Sequence, residues 1–368
     1  MDERTSIYPY EATIFAGACA CFFAAVGVCG NLITILALVN SPKIRGHATT
    51  AFVLSLCISD LLFCSFSLPL TAVRFFAQKW TLGDNLCQIF PVIFYGNVAV
   101  SLLSMVCITI NRYILIGCHN IYARLYRKQW IVLQLACVWL VSFMLLLPPY
   151  LGIWGEMGLD EVTFSCTILK KNGRSIKKPL FLLGFLLPCL VIIASYSCIY
   201  IKVLQQKKKM NCHRQFVIQG SSTSTSENVY KDTRQKDKSE DSRLTLMMMT
   251  IFVCFLICFL PLMLANVVDD ERKTSYPWLH IVASVMAWAS SVINPIIYAA
   301  SNRNYRIAYL RLFRRIKIWN QDVVSTMPSK TKHSKELSGP ARSTPPALLS
   351  GNNLNDVAQA DRFPTYSV

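Results

Sequence analysis

Residues 87–113 read CQIFPVIFYGNVAVSLLSMVCITINRY, and Arg112 is the only charged residue among them. A helix needs about 20 predominantly apolar residues to cross the roughly 30 Å hydrocarbon layer of a bilayer. This stretch is longer than that. Backbone groups in lipid must bond within their own segment, so the stretch predicts a membrane-crossing helix. Working outward, six more stretches have the same character: roughly 13–39, 48–73, 129–151, 179–201, 244–267 and 276–299. The chain is 53% hydrophobic and 15% charged, against about 25% charged for a soluble domain. Seven buried helices of a soluble bundle would need a polar outer face, and these stretches have none. The expected fold class is an all-α membrane protein: a seven-transmembrane helix bundle plus a short amphipathic membrane-surface helix.

Charge placement predicts the orientation. The segments 41–47, 114–130, 202–243 and 300–368 carry 26 Lys+Arg and 9 Asp+Glu, a net +17 (26 minus 9). The segments 1–12, 74–86, 152–178 and 268–275 carry 10 of each sign. Lys and Arg concentrate on cytoplasmic loops. The N-terminus is therefore expected outside and the C-terminus inside, in the plasma membrane. The basic face suits anionic lipid of the inner leaflet, and nucleic acid is not an expected partner.

The expected organisation is an extracellular N-terminus at 1–12, a bundle at 13–299 with a third inner loop at 202–243, an amphipathic helix at 300–318 and a disordered cytoplasmic tail at 319–368. No cleavable signal peptide is evident before the first span, and no N-x-Ser/Thr acceptor is seen in the outer segments. In the amphipathic stretch Tyr305, Ala308, Tyr309, Leu312, Phe313 and Ile316 recur at helical spacing among Arg306, Arg311, Arg314, Arg315 and Lys317. That pattern suits a helix lying on a membrane surface. The third inner loop, with the run SSTSTS at 221–226, reads as a disordered linker. Kinase sites are expected there and at Ser329, Thr331, Ser334, Ser343 and Thr344, with arrestin a partner after phosphorylation. Tyr366-Ser367-Val368 has the form of a PDZ ligand. Of fifteen cysteines, most fall in the spans, where the ordinary role is small core filler. Cys87 and Cys166 are placed outside, where an oxidising medium allows them to pair.

The spans hold two charged residues, Asp60 and Arg112. Charge inside a membrane is costly and marks function by default. Asn97 and Ser101 are four apart on one helical face, and Ser290, Ser291 and Asn294 repeat that arrangement. With Asn31 they can satisfy Asp60, or hold a sodium ion through Asp60, Asn97, Ser101, Ser291 and Asn294. Arg112, within Asn111-Arg112-Tyr113, faces two readings: an ion pair with Asp241 at the start of the sixth span, or snorkelling to the interface. Pro188, Pro261 and Pro295 interrupt apolar spans and predict kinks. A movable Tyr298 below Pro295 suits a switch, with Tyr196 a partner for Tyr298 or Arg112 when the bundle opens.

Gly30-Asn31, Leu56 to Asp60, Cys87, Asn111-Arg112-Tyr113, Trp139, Cys258-Phe259-Leu260-Pro261 and Asn294-Pro295-x-x-Tyr298 fall in the order and spacing of rhodopsin-like (class A) G-protein-coupled receptors. The resemblance covers about residues 15–317. It implies an extracellular agonist, a bundle that opens inward and nucleotide exchange on a heterotrimeric G protein. Two positions depart from the commonest family pattern. Asn111 stands where an acid is usual, and Phe259 stands where a Trp is usual two residues before the helix-6 proline. Asn-Arg-Tyr followed by Cys-His-Asn resembles melatonin receptors. Ser59 to Leu70, Arg74-Phe75-Phe76, Phe90 to Tyr95, and Cys166-Thr167-Ile168 with Asn172 to Ser175 resemble more closely the invertebrate Moody and Trapped-in-endoderm branch. That branch is associated with cell migration, barrier glia and polarity.

Phe94 occupies the position where aminergic receptors carry an anchoring Asp, so an amine held by that salt bridge is not expected. The seventh span has no Lys, which excludes a retinal Schiff base. The expected ligand pocket draws on Phe94, Tyr95, Val98, Leu262, Met263, Asn266, His280, Ser284 and Trp288, with Arg74, Arg174, Lys177 and Lys178 at its mouth. An apolar lining with a few polar points is usual for small-molecule sites and here suggests a lipid-like or anionic ligand. A compensating reading pairs these bases with Asp160 and Glu161. G-protein contacts are expected at Arg112, Ile121, Tyr122 and Leu125. A transporter would call for inverted repeats and broken helices, and none is detected. An enzyme would need a motif such as a His-Glu-x-x-His zinc pair or a Gly-x-Ser-x-Gly elbow, and neither occurs. A receptor that does not signal through G protein remains the main rival, because Asn111 and Phe259 are both switch positions.

Overall fold

Long helices dominate the chain in the computed structural model, which describes residues 7–171, 176, 179–180, 182–218, 225–268 and 276–326. Helix α1 is Tyr10–Val39, and a single turn α2 (Pro42–Arg45) leads to α3 (Ala48–Leu62). A π-turn at Phe63–Ser67 joins α3 to α4 (Leu68–Ala77). Then follow α5 (Asp84–Gly117), α6 (His119–Leu125), α7 (Lys128–Met144) and α8 (Leu147–Tyr150). After the hairpin β1 (Glu156–Asp160) and β2 (Ser165–Leu169), a second π-turn at Leu182–Leu186 opens α9 (Leu187–Ile218). Helices α10 (Thr225–Val268), α11 (Pro277–Ser301) and α12 (Arg303–Thr326) complete the order.

Among the described residues, seven helical stretches are long and apolar enough to cross a membrane: 10–39, 48–77, 84–117, 128–150, 182–205, 243–265 and 277–301. Large apolar side chains cover their outer surfaces. Val132 is 66% exposed, Leu140 59% and Ile257 59%. Water would penalise such a surface, and lipid does not. The fold is the seven-transmembrane bundle that the sequence predicts. Small residues let its helices approach closely, as is common between membrane helices. A Cβ at Gly96 would collide with the Phe143 ring across α5 and α7, and one at Gly27 with the Cys64 sulfur across α1 and the π-turn.

Two expectations need correction. The segment 202–243 is not simply a linker, because α9 continues to Ile218 and α10 begins at Thr225. No Pro or Gly interrupts 189–218 or 225–260, and Glu227/Lys231 and Asp232/Lys236 have the i, i+4 spacing that supports a helix. The amphipathic helix does not end at 318. It runs to Thr326, again with no breaker before Pro328. The outer segment 152–178 carries structure of its own. It forms an antiparallel hairpin that pairs Met157 with Ile168 and Leu159 with Cys166. The kinase positions at 221–224 and beyond Thr326, the tail and its terminal Tyr366-Ser367-Val368 lie outside the described residues.

Candidate functional site

The polar residues of the spans gather in two places. The first surrounds Asp60, which is 1% exposed. Asn294 Nδ2 on α11 donates to Asp60 Oδ2 at 2.8 Å, and Ser101 Oγ on α5 donates to Oδ1 at 3.2 Å. Ser59 and Ser101 hydroxyls lie 2.8 Å apart. Asn31 reaches the group indirectly, because its Nδ2 donates to the carbonyls of Gly27 and Ser291, each at 2.9 Å. Asn97 is buried, and neither its amide nitrogen nor its oxygen has a partner. A cavity of about 10 Å³ opens beside Asp60, Asn97, Ser101, Ser291 and Asn294, room for about one water-sized particle. Unpaired buried polar atoms facing such a space suit a small oxygen-liganded cation or a water. This donor set fits the sodium site expected there.

The second place is the end of α5. Arg112 is 3% exposed, and its Nη2 donates to Thr49 Oγ1 on α3 at 2.8 Å. Thr49 donates in turn to Asn111 Oδ1 at 2.8 Å. Asn111 Nδ2 donates to the Tyr122 hydroxyl on α6 at 3.4 Å. A chain of hydrogen bonds through neutral groups therefore links three elements, with an amide at the position where an acid is commoner. Tyr122 packs on Tyr126 with ring centroids 4.8 Å apart, and Tyr126 meets Phe52 of α3 edge-on. Burial pushes the Tyr126 phenol above its ordinary range. Tyr113 lies beneath the Lys202 ammonium, 4.8 Å from the ring centre. The expected Arg112–Asp241 pair rests on an Asp241 side chain outside the described residues.

Aromatic rings of the later helices pack in three separate groups. Phe259 stacks on Phe255 at 4.5 Å, with Phe185 at 6.5 Å from Phe259. Tyr196 stacks on Phe252 at 6.5 Å, and Tyr298 on Tyr305 of α12 at 5.3 Å. The hydroxyls of Tyr196 and Tyr298 are buried without a hydrogen-bond partner. Pro261 and Pro295 lie inside their helices. On α6, Ile121 is 52% exposed and Leu125 37%, whereas Tyr122 turns inward to Asn111. Trp139 is tied to the bundle by a 3.1 Å bond from its indole nitrogen to Ser55.

The expected ligand-pocket residues fall on two apolar clusters that share Val98. Phe94 and Val98 pack with Trp288 in one apolar cluster. Leu262, Met263 and again Val98 pack against the cluster holding Phe259 and Tyr298. Tyr95 donates to or accepts from Thr167 of the hairpin at 2.9 Å. Ser284 bonds its own helix at the His280 carbonyl, 2.8 Å away. His280 Nδ1 lies 2.8 Å from the Tyr8 hydroxyl. The side chain of Asn266, and the residues Arg174, Lys177 and Lys178, lie outside the described residues. Tyr8, Phe164 and Thr49 went unnoticed in the sequence. Tyr8 sits among Phe75, Phe164 and His280, with centroid distances of 6.3, 5.7 and 5.9 Å. Nothing local signals that role, since a lone Tyr in a short polar segment has no partner in view.

The hairpin end is held by the Cys87–Cys166 disulfide, which spans 79 residues of sequence and fastens β2 to the start of α5. Sequence had allowed that pairing, and the structure contains it.

Comparison with known proteins gives the same picture. Residues 30–298 match the family model described as the 7 transmembrane receptor (rhodopsin family). Protein trapped in endoderm-1 of Drosophila melanogaster is 67% identical over all of this chain and 95% of its own length. G-protein coupled receptor moody of Drosophila melanogaster is 37% identical over 83% of this chain and 53% of its own length, so this chain spans about half of that relative. Squid rhodopsin superposes with a TM-score of 0.73 at 22% identity, covering 88% of this chain and 94% of that one. The chain is a multi-pass plasma-membrane protein that belongs to the rhodopsin family of seven-transmembrane, G-protein-coupled receptors.

Proposed function

We propose that this receptor converts binding of an extracellular, non-aminergic, lipid-like ligand at its hairpin end into opening of the Arg112 end around a Gα subunit. In this reading the N-terminus is outside and the C-terminus in the cytoplasm, as the charge on the loops favours. The observation that carries the proposal is the chain Arg112–Thr49–Asn111–Tyr122. It ties the end of α5 to α3 and α6 by hydrogen bonds. Such bonds contribute about 1 kcal/mol each, somewhat more to a charged partner. A set of that size can be broken and remade by a differential affinity of a few kcal/mol. On opening, Arg112 becomes the contact for the G protein, beside Ile121, Tyr122 and Leu125.

Asp60, Phe259, Pro261, Asn294, Pro295 and Tyr298 form the transmission path from the hairpin end. The two buried, unpartnered tyrosine hydroxyls suit a second packing in which Tyr196 and Tyr298 find partners. A sodium ion at Asp60, Asn97, Ser101, Ser291 and Asn294 would hold the closed packing. Arrestin follows phosphorylation of the cytoplasmic segments. The branch shared with the trapped-in-endoderm and moody receptors favours a role in cell migration, polarity or barrier formation.

The test is G-protein activation in cells, read by a panel of Gα energy-transfer sensors at matched surface levels. Wild type is expected to activate at least one Gα, and Arg112→Ala to lose that signal. An Arg112→Ala receptor with full signalling would sink the proposal.

A further inference from the structure

Arg74 stands in the last turn of α4, inside the second membrane-crossing stretch. Its guanidinium has few partners. Nη1 donates to the Thr163 carbonyl at 3.3 Å, and the buried Nε has none. The guanidinium carbon lies 4.2 Å from the centre of the Phe75 ring. The ionisable groups near it are Tyr8, Tyr95 and Asp160. Asp160 is the one acid of the three, and it is spent on its own turn. Its Oδ1 accepts from the Val162 amide at 3.1 Å and its Oδ2 from the Thr163 hydroxyl at 2.8 Å. No described carboxylate lies within ion-pairing distance of Arg74, so the pairing with Asp160 or Glu161 that the sequence left open does not form for this residue. Arg74 is half-buried, and its Nε has left water without gaining a partner among the described residues, which is destabilising. Such a group in a receptor's ligand-facing end can take its counter-charge from a ligand.

The surroundings set the rest of the ligand. Tyr8, Phe75, Phe164, Phe94 and Trp288 supply an apolar cluster directly adjoining Arg74. Tyr8 joins it from the N-terminal segment, is itself buried, and has its hydroxyl 2.8 Å from His280 Nδ1. We propose that Arg74 receives the anionic head, carboxylate or phosphate, of an amphiphile whose apolar tail takes the place of the Tyr8 ring. A guanidinium fits either head through parallel N–H···O bonds. This deepens the ligand class put forward for the hairpin end and rests on it.

The experiment uses purified full-length receptor in neutral-lipid nanodiscs and reads thermal stability. The probes are dodecyl phosphate, dodecanoate and dodecanol, which share one chain length. Phosphatidate built into the disc separates a bilayer source from a water-borne one. The two anions are expected to raise the Tm, and dodecanol to leave it unchanged. Arg74→Gln is expected to abolish the anion effect, lowering apparent affinity at least tenfold, and Arg74→Lys to keep part of it. If all three probes act alike, if none acts, or if Arg74→Gln keeps the preference for the anions, the assignment is wrong. Arg112→Ala in the same assay separates the two readings. Binding retained there with no Gα signal from wild type would remove the G-protein proposal and leave this one standing.

Discussion

The two ends of the bundle are closed in different ways. At the hairpin end the closure is mostly aromatic: Tyr8, Phe75, Phe164 and Trp288 meet edge to face, and a disulfide fastens the hairpin behind them. At the Arg112 end the closure is polar, a row of hydrogen bonds through Thr49, Asn111 and Tyr122. Apolar contact is non-directional and scales with area, so it accepts a ligand of similar shape in exchange for a ring. Hydrogen bonds depend on angle and distance, so a small shift of α5 against α3 breaks several together. An end that exchanges contacts suits recognition, and an end that loses them cooperatively suits a switch.

The largest expected effect is at the covalent fastening. Cys166→Ser frees the hairpin from α5 and removes a cross-link over 79 residues of chain. Loss of a native disulfide costs about 2 to 5 kcal/mol. We expect a clear fall in Tm of the purified receptor and in surface expression, with the Arg112 end still able to activate Gα in the molecules that fold. If Cys166→Ser leaves stability unchanged, the hairpin is held by its apolar contacts, and the two ends differ less than the structure implies.

The Arg112 end is tested by Thr49→Val, which keeps the shape and removes the hydroxyl that serves both Arg112 and Asn111. A hydrogen bond to a charged group contributes about 1.5 to 3 kcal/mol, so the closed form should lose roughly 10- to 150-fold in relative population. Ligand-independent Gα signalling is expected to rise accordingly, with stability falling only slightly. Unchanged basal signalling would mean that Arg112 is held by something other than Thr49.

The sequence exposed the bundle far better than the closures. Each span is a run of one-sided chemistry, and the reading of 48–73 or 276–299 falls within a few residues of the helices at 48–77 and 277–301. Asp60 and Arg112 were visible because charge in an apolar run stands out without any knowledge of contacts. Thr49 was not visible, since a threonine at a helix start has an ordinary local explanation, and its partners lie 62 and 63 residues away. The hairpin carried a weak signal in the alternation of Met157 and Leu159 opposite Cys166 and Ile168. The π-turn at Phe63–Ser67 carried none, because adding one residue to a helical turn leaves hydrophobic spacing nearly unchanged. Arg74 was placed at the mouth by its position after the apolar run, whereas α4 continues to Ala77 and carries it within the span.

The smallest effect sharpens the comparison most, because it alters the hairpin end by a single polar atom. Tyr8→Phe keeps the ring that packs against Phe75 and Phe164 and deletes the hydroxyl 2.8 Å from His280 Nδ1. A neutral hydrogen bond contributes about 1 kcal/mol, which corresponds to roughly fivefold in the population of the uncovered form. If aromatic contact closes this end, Tyr8→Phe should change Tm by no more than a degree or two and raise dodecyl phosphate affinity up to about fivefold. Tyr8→Ala, which removes the ring as well, should raise the affinity further and lower the Tm of the unliganded receptor. The outcome that breaks the contrast is a Tyr8→Phe receptor as altered as Tyr8→Ala. The cover would then be held by its hydrogen bond, and both ends of the bundle would be polar latches of the same kind.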